Sequence, residues 1–211
     1  MLELGCDICN DLEASARREW LVTNGLGGYA AGTVASMLTR RYHGLLIAAL
    51  TPPRQRVLLA AKVEDSVQYD GRFYRLSTNQ WAANVIEPEG YRYLEGFCLE
   101  EGIPTWTYAL GPEVRLQKRV WMQAGANTTY VHYTCLESPR PLALVLETLV
   151  NYRDHHRLTR AIGQWMRVEP VGHGVRVVAS SQAIPFYIFS QDARASTRHE
   201  WYRDFFLRVE A

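Results

Sequence analysis

Arg56–Val67 reads RVLLAAKVEDSV, and the chain runs on through Tyr69, Asp70-Gly71 and RFYRL to Leu76. The first run is dense in aliphatic and β-branched residues, which suit a pleated, half-buried surface. Asp70-Gly71 readily takes the positive φ angles of a type I′ turn, so the two runs read as a β-hairpin. The same alternation continues outward. Val114, Leu116, Val120 and Met122 fall on one face of a strand, opposite Arg115, Gln117, Arg119 and Trp121. Thr129, Val131, Tyr133 and Cys135 repeat the pattern in the next run. Ser138-Pro139-Arg140-Pro141 then reads as a connection before LALVLETLV, because proline interrupts a ladder. Further turn signals lie at Glu87–Gly90, Glu101-Gly102, Gly111-Pro112, Gly125–Asn127 and Gly172–Gly174, and they divide the chain into short strands. Helix is expected only at Asp11–Arg18 and around Asp154–Ala161. The reading is one all-β domain over residues 1–211, a large two-sheet antiparallel β-sandwich with one or two short helices.

Composition narrows the function classes. A hydrophobic share of 47% can fill a core, and a net charge of +1 creates no field that would gather nucleic acid or an anionic membrane. The basic residues are nearly all arginine; Lys62 and Lys118 are the only lysines. No apolar run approaches the roughly 18 residues of a membrane helix. The N-terminus has no basic stretch leading into an apolar one, so no secretion signal is expected. Cys6 and Cys9 form a C-x-x-C, but Cys98 and Cys135 stand alone, which fits reduced thiols in a cytoplasmic protein better than a zinc knuckle. The chain closes on FFLRVEA without a polar tail, which fits a natural end and a fragment boundary equally.

Asn24-Gly25-Leu26-Gly27-Gly28-Tyr29-Ala30 contains G-x-G-x-x-A, the loose dinucleotide fingerprint. That motif needs a helix after it and an acid about 20 residues on. Here the glycines lead instead into GTVASMLTRRYHG, and positions 44–52 hold no acid. The alternative is that the glycines permit a sharp reversal, with Asn24 and Tyr29 framing an exposed loop. Arg40-Arg41-Tyr42-His43 adds two guanidinium groups, a phenol and an imidazole before the apolar LLIAAL. These groups either cap a corner of the sandwich or form a recognition surface. His43 has the intrinsic pKa of an acid or base, but beside two arginines it reads as a hydrogen-bonding or packing group. His155 and His156 follow Asp154, yet adjacent histidines in one strand diverge and no third ligand has a natural spacing, so no metal is expected. Trp81, Trp106 and Trp121 are either sugar-stacking platforms or core and interdomain aromatics.

EWLVTNGLGGYAAGT from Glu19, TRRYHGLL from Thr39 and PPRQRVLLAAKVEDSV from Pro52 resemble, in order and spacing, the opening of the N-terminal domain of bacterial and archaeal glycogen debranching enzymes. GYRYLEGF, VRLQKRVWM, NYRDHHRLTR and EWYRDFF extend the likeness over most of the chain; Met37-Leu38 is a small departure. The resemblance implies a super-sandwich that precedes an (α/α)6 barrel carrying the catalytic carboxylates for α-1,6-linked glucose removal. No barrel is present in this sequence. The acid couplets here, Glu64-Asp65 and Glu100-Glu101, are neighbours, and neighbours in a strand point to opposite faces. They therefore cannot flank one glycosidic bond, and no catalytic residue is expected in this chain. Asn24, Gly25, Gly27, Gly28, Tyr29, Arg40, Arg41, Tyr42 and His43 are the expected substrate-binding or barrel-facing set. No cofactor is expected; the expected partners are the helical catalytic domain and an α-glucan such as glycogen or maltooligosaccharide. A stand-alone glucan-binding module and a purely structural interaction domain are the competing readings.

Overall fold

The computed structural model describes residues 2–161 and 166–210. They divide into two compact units, residues 1–157 with 204–211 and residues 158–203. In the first, β1 (Glu3–Leu4), α1 (Cys6–Cys9) and α2 (Leu12–Ala16) lead into β2 (Glu19–Thr23), β3 (Tyr29–Thr33), β4 (Gly44–Thr51) and the long β5 (Arg54–Tyr69). Next come β6 (Arg72–Arg75), β7 (Thr78–Trp81), β8 (Val85–Glu89) and β9 (Leu94–Glu100). The unit is completed by β10 (Ile103–Gly111), β11 (Val114–Met122), β12 (Thr129–Glu137) and β13 (Ala143–Asp154). The second unit is a three-stranded antiparallel sheet of β14 (Arg167–Val171), β15 (Gly174–Val178) and β16 (Phe186–Phe189).

The first unit is an antiparallel sandwich. One sheet runs β1-β9-β10-β11-β12; the other runs β13-β5-β4-β3-β2, with β6 also paired to β5. The expected hairpin is present: Tyr69 pairs with Arg72 across Asp70 (φ 50°) and Gly71 (φ 73°). Glu101-Gly102 makes the same kind of reversal between β9 and β10. The Pro139–Pro141 segment carries the chain from one sheet to the other, since β12 and β13 lie in different sheets. Pro88 lies inside β8 rather than in a turn, which the ladder tolerates because β8 pairs only with β7.

The helix expected over Asp11–Arg18 forms as α2 over Leu12–Ala16, and Asp11 caps it by accepting from Ala14 N at 2.8 Å. The second expected helix does not form. Asp154 ends β13, its Oδ1 takes the His156 N–H at 2.8 Å, and its carbonyl takes the Arg157 N–H at 3.0 Å. That Asx-type turn offers the backbone an alternative to helix.

The core lies between the sheets, around Trp20, Met37, Phe97, Trp106, Tyr108, Leu116 and Val120. Trp106 is therefore a core residue, edge-on to Trp20 at 5.4 Å, with its Nε1 donating to Val34 O. The inward row of β11 holds one residue whose charge is unexpected there: Lys118, 5% exposed. Its Nζ reaches Asp65 Oδ2 on β5 at 2.5 Å, joining the two sheets through buried charge. Tyr133 donates to the same oxygen at 3.1 Å, and Ser77 Oγ donates to Asp65 Oδ1 at 2.8 Å. Burial alone would push the Asp65 carboxyl up. Lys118 above all, then Ser77, outweigh it and hold the group below the usual carboxylate range. Lys62 is buried as well, donating to Thr78 O and Asn79 Oδ1 and lying 3.1 Å from Glu64. Burial lowers its ammonium below the ordinary lysine range despite the pull of Glu64.

Removing one member of a buried ion pair strands the other. Lys118→Met is expected to cost roughly 3–5 kcal/mol in urea unfolding, and apolar replacement of both Asp65 and Lys118 is expected to cost less. A loss below about 1 kcal/mol for the single variant, the range of a solvent-exposed pair, would show that the link contributes little.

Candidate functional site

The glycine-rich segment joins β2 to β3, two antiparallel strands paired from Glu19↔Thr33 to Thr23↔Tyr29. It is a hairpin loop and leads into no helix, so the dinucleotide context is not met. Gly25 and Gly27 take φ of 77° and 96°. At Gly28 a Cβ would fall 2.6 Å from Asn24 Nδ2 and 2.8 Å from Asn127 Oδ1, so the close approach itself requires glycine.

Contrary to the expectation from sequence, Asn24 does not frame an exposed loop; it is 2% exposed and organises the loop from within. Its Oδ1 accepts from Leu26 N and Gly28 N, and its Nδ2 donates to Ala126 O and Asn127 Oδ1. Asn127 in turn bridges both backbone groups of Ala49 on β4. Asn24, Gly25, Gly27 and Gly28 thus fix the end of the hairpin. Tyr29, Arg40, Tyr42 and His43 gather elsewhere, with Glu19, Trp20, Leu21 and Ala31, around a shallow depression of about 260 Å³.

His43 is buried, and its tautomer follows from its neighbours. The Thr39 N–H donates to Nδ1 at 3.1 Å, so Nδ1 carries the lone pair and the ring proton sits on Nε2. With its lone pair occupied, the neutral ring cannot serve as a general base, which fits its reading as a hydrogen-bonding group. Nε2 lies 3.4 Å from Glu19 Oε1, yet it makes no well-formed hydrogen bond. Burial lowers the His43 pKa below 6.5 and Arg40 adds to that, while Glu19 and Glu210 oppose it. Arg40 Nε binds Glu19 Oε1 at 2.6 Å above this ring.

Arg41 faces another set of groups. Its backbone N–H and its guanidinium both bind Glu210, and Nη1 donates to His156 O at 3.2 Å. Glu210 is delivered by the returning segment, where Phe206 N bonds Gln80 O, Val209 N bonds Thr39 O and Arg208 bonds Gln80 and Glu13. In the same segment Phe205 packs on Trp81 at 4.5 Å, so Trp81 is covered on that side. Trp121 stacks on Tyr130 at 5.3 Å on the outer side of the other sheet.

The turn after β13 completes the corner. Tyr42 stands edge-on to both His155 and His156 at 5.7 Å, and its hydroxyl is 3.2 Å from His156 Nδ1. The two histidines do not diverge as neighbours in a strand would; they lie in the Asp154 turn, with ring centroids 3.9 Å apart. Ligand atoms of Asp154, His155 and His156 come within 4.8 Å of one another. The surrounding cations oppose a metal ion there: Arg153 donates to the carbonyls of Asp154 and His155, and Arg41 to that of His156. His155 Nδ1 lies 3.2 Å from the Arg56 carbonyl, an acceptor, so this ring is protonated on Nδ1, the opposite tautomer to His43. Burial lowers its pKa too.

The fold and this corner define a β-sandwich domain whose polar side chains hold one another and form no nucleophile–base pair among the candidate residues. A family profile described as "Glycogen debranching enzyme N terminal" matches residues 18–211. The chain belongs to that family. No curated protein and no solved structure matches it. Among the described residues no helix is long and apolar enough to cross a membrane.

Glu19, Arg153, His155 and Glu210 were absent from the candidate set. Glu19 opens the most distinctive motif, and Arg153 and His155 lie within NYRDHHRLTR, so a signal existed for those three. Glu210 meets Arg41 across 169 positions, and no local pattern marks that contact.

His43 and His155 carry depressed pKa values, so the unfolded chain binds more protons than the folded one below about pH 6.5. Stability is therefore expected to fall as the pH drops from about 7.5 to about 5.5. His43→Asn keeps an acceptor for Thr39 but does not titrate, and should make that slope shallower. An unchanged slope in chemical denaturation would remove His43 from the account.

Proposed function

We propose that this chain is the non-catalytic N-terminal domain of a glycogen debranching enzyme, that it packs on a helical catalytic domain in the same protein, and that its Arg41–Tyr42–His156 corner helps shape the α-glucan cleft. The observation that carries the reading is the family match over residues 18–211. The corner supports it. Tyr42 is more than a third exposed, and its hydroxyl and ring are held by two histidines and not loose in solvent. Arg41 is braced by Glu210 on one side and by the turn after β13 on the other. Such pre-positioned groups can hydrogen-bond a sugar or a neighbouring domain with little further loss of side-chain freedom.

The acids of β5 do not offer the chemistry of a glycosidase pair. Asp65 is buried and occupied by Lys118, Ser77 and Tyr133, while Glu64 binds Lys62 and Asn79. Hydrolysis with inversion needs two carboxyls about 6.5 to 9.5 Å apart across one bond. The domain on its own is expected to release no glucose.

In the protein carrying its catalytic domain, Arg41→Ala and Tyr42→Ala are each expected to slow glucose release from limit dextrin by about tenfold, the loss of roughly 1.4 kcal/mol. Both variants should keep the far-UV circular dichroism of the parent. Rates equal to the parent in folded variants would leave the corner with no part in catalysis.

A further inference from the structure

Where β2, β3 and the 40–43 loop meet, the outer face of the hairpin is hollowed at Ala31. Ala31 pairs across the ladder with Leu21, which is 60% exposed, and its single methyl leaves the depression of about 260 Å³ open between Leu21, Tyr29 and Tyr42. Above it lies the Arg40–Glu19 pair, with both side chains about two-fifths exposed. Beneath Glu19 lies the Nε2–H of His43, buried and without a well-formed partner.

We infer that this depression is a subsite for a single glucose unit, with its apolar wall against one face of the ring and the Arg40–Glu19 pair against neighbouring hydroxyls. This inference rests on the proposed glucan-cleft function and assigns it a place. The chemistry of the rim fits a neutral ligand that both donates and accepts hydrogen bonds, as a sugar does. Arg40 only donates hydrogen bonds and Glu19 only accepts them, and their charges cancel. An anion would be favoured by one and opposed by the other, and so would a cation. A hydroxyl both accepts and donates, so a pair of adjacent hydroxyls satisfies both groups at once. At about 260 Å³ the hollow lies below the roughly 300–1,000 Å³ of small-molecule pockets, which limits an occupant to about one ring. An exposed ion pair contributes only about 0–1 kcal/mol to folding, which leaves it free to exchange its contact for sugar hydroxyls at small cost. The buried Nε2–H of His43 lies 3.4 Å from Glu19 Oε1, at the edge of the hollow.

The test is a titration of this chain with maltotriose, followed by calorimetry and by backbone amide shifts. Saturable millimolar binding is expected, with shifts centred on Glu19–Leu21, Tyr29–Ala31 and Arg40–His43. Ala31→Leu fills the hollow and leaves the rim intact; Glu19→Gln keeps the shape and removes the acceptor charge. Each should weaken binding at least tenfold with unchanged circular dichroism and thermal midpoint, and Glu19→Gln remains decisive should Ala31→Leu misfold. Absence of saturation in the parent, or parental affinity in folded Ala31→Leu or Glu19→Gln, overturns the subsite. The two readings fail separately. No maltotriose binding together with slowed catalysis by Arg41→Ala sinks the subsite alone; binding at the hollow with unaffected catalysis sinks the cleft-shaping role alone.

Discussion

An ammonium and a carboxylate that have both left water join the two sheets of this sandwich. Lys118 projects from the middle of an otherwise apolar row on β11 and meets Asp65 on β5. Two hydroxyls, from Tyr133 and Ser77, donate to the same carboxylate. A buried pair is seldom the most stable way to fill a core, since apolar residues of equal volume avoid the desolvation cost. What it adds is register. Packed apolar side chains already resist sliding, and an ion pair with matched hydrogen bonds adds a directional contact that fits one arrangement. β5 is the longest strand of the fold and pairs with β13, β4 and β6, so fixing β5 against β11 fixes most of the sandwich.

The functional corner depends on that register at one remove. Asn127 follows β11 and reaches over to Ala49 on β4 and to Asn24 in the glycine loop. The end of the β2–β3 hairpin is therefore set by the sheet opposite. Arg56 on β5 adds a second tie, since its Nε binds Gly27 O and its carbonyl holds His155. The groups around Tyr42 are thus held from both sheets and from the returning segment near Glu210. The glycines act within this frame as packing residues: they let the loop pass close to Asn127 and Pro53, and the side chains that face outward come from neighbouring positions.

Much of this was legible in the order of residues, and the exceptions share a cause. Alternation and turn chemistry are local, so the β-rich class, the Asp70-Gly71 hairpin, the short helix after Asp11 and the proline-marked connection could all be read directly. The Asp154 helix failed because an aspartate side chain competed for the backbone donors that a helix needs, and composition does not show which partner wins. Lys118 is harder. Its position in the strand has the inward parity of Leu116 and Val120, but a charge at such a position is ordinarily a sign that the phase is wrong. The carboxylate of Asp65, 53 residues away, makes it tolerable, with the ring faces of Trp106 and Tyr133 beside it. That Lys62 and Lys118 were the only lysines in an arginine-rich chain was visible, and both proved buried. A guanidinium spreads its donors over a planar fork, whereas a compact ammonium fits the oxygens of Thr78, Asn79 and Glu64 around Lys62, and the Asp65 carboxylate with the Trp106 and Tyr133 rings around Lys118.

The two corner histidines show why composition marks a candidate site without defining its chemistry. Both are buried, both have lowered pKa values, and a residue count treats them as equal. One receives a backbone N–H on Nδ1 and the other faces a backbone carbonyl there, so they are opposite tautomers. His43 is left with only a proton to offer, and it turns that proton toward Glu19. His155 keeps a lone pair on Nε2 but stands among Arg153, Arg56 and Tyr42, in surroundings that disfavour adding positive charge. Neither arrangement supplies a catalytic base. Both hold neighbouring polar groups in place, which is what a domain needs if its part is to present a shaped surface to a sugar or to another domain.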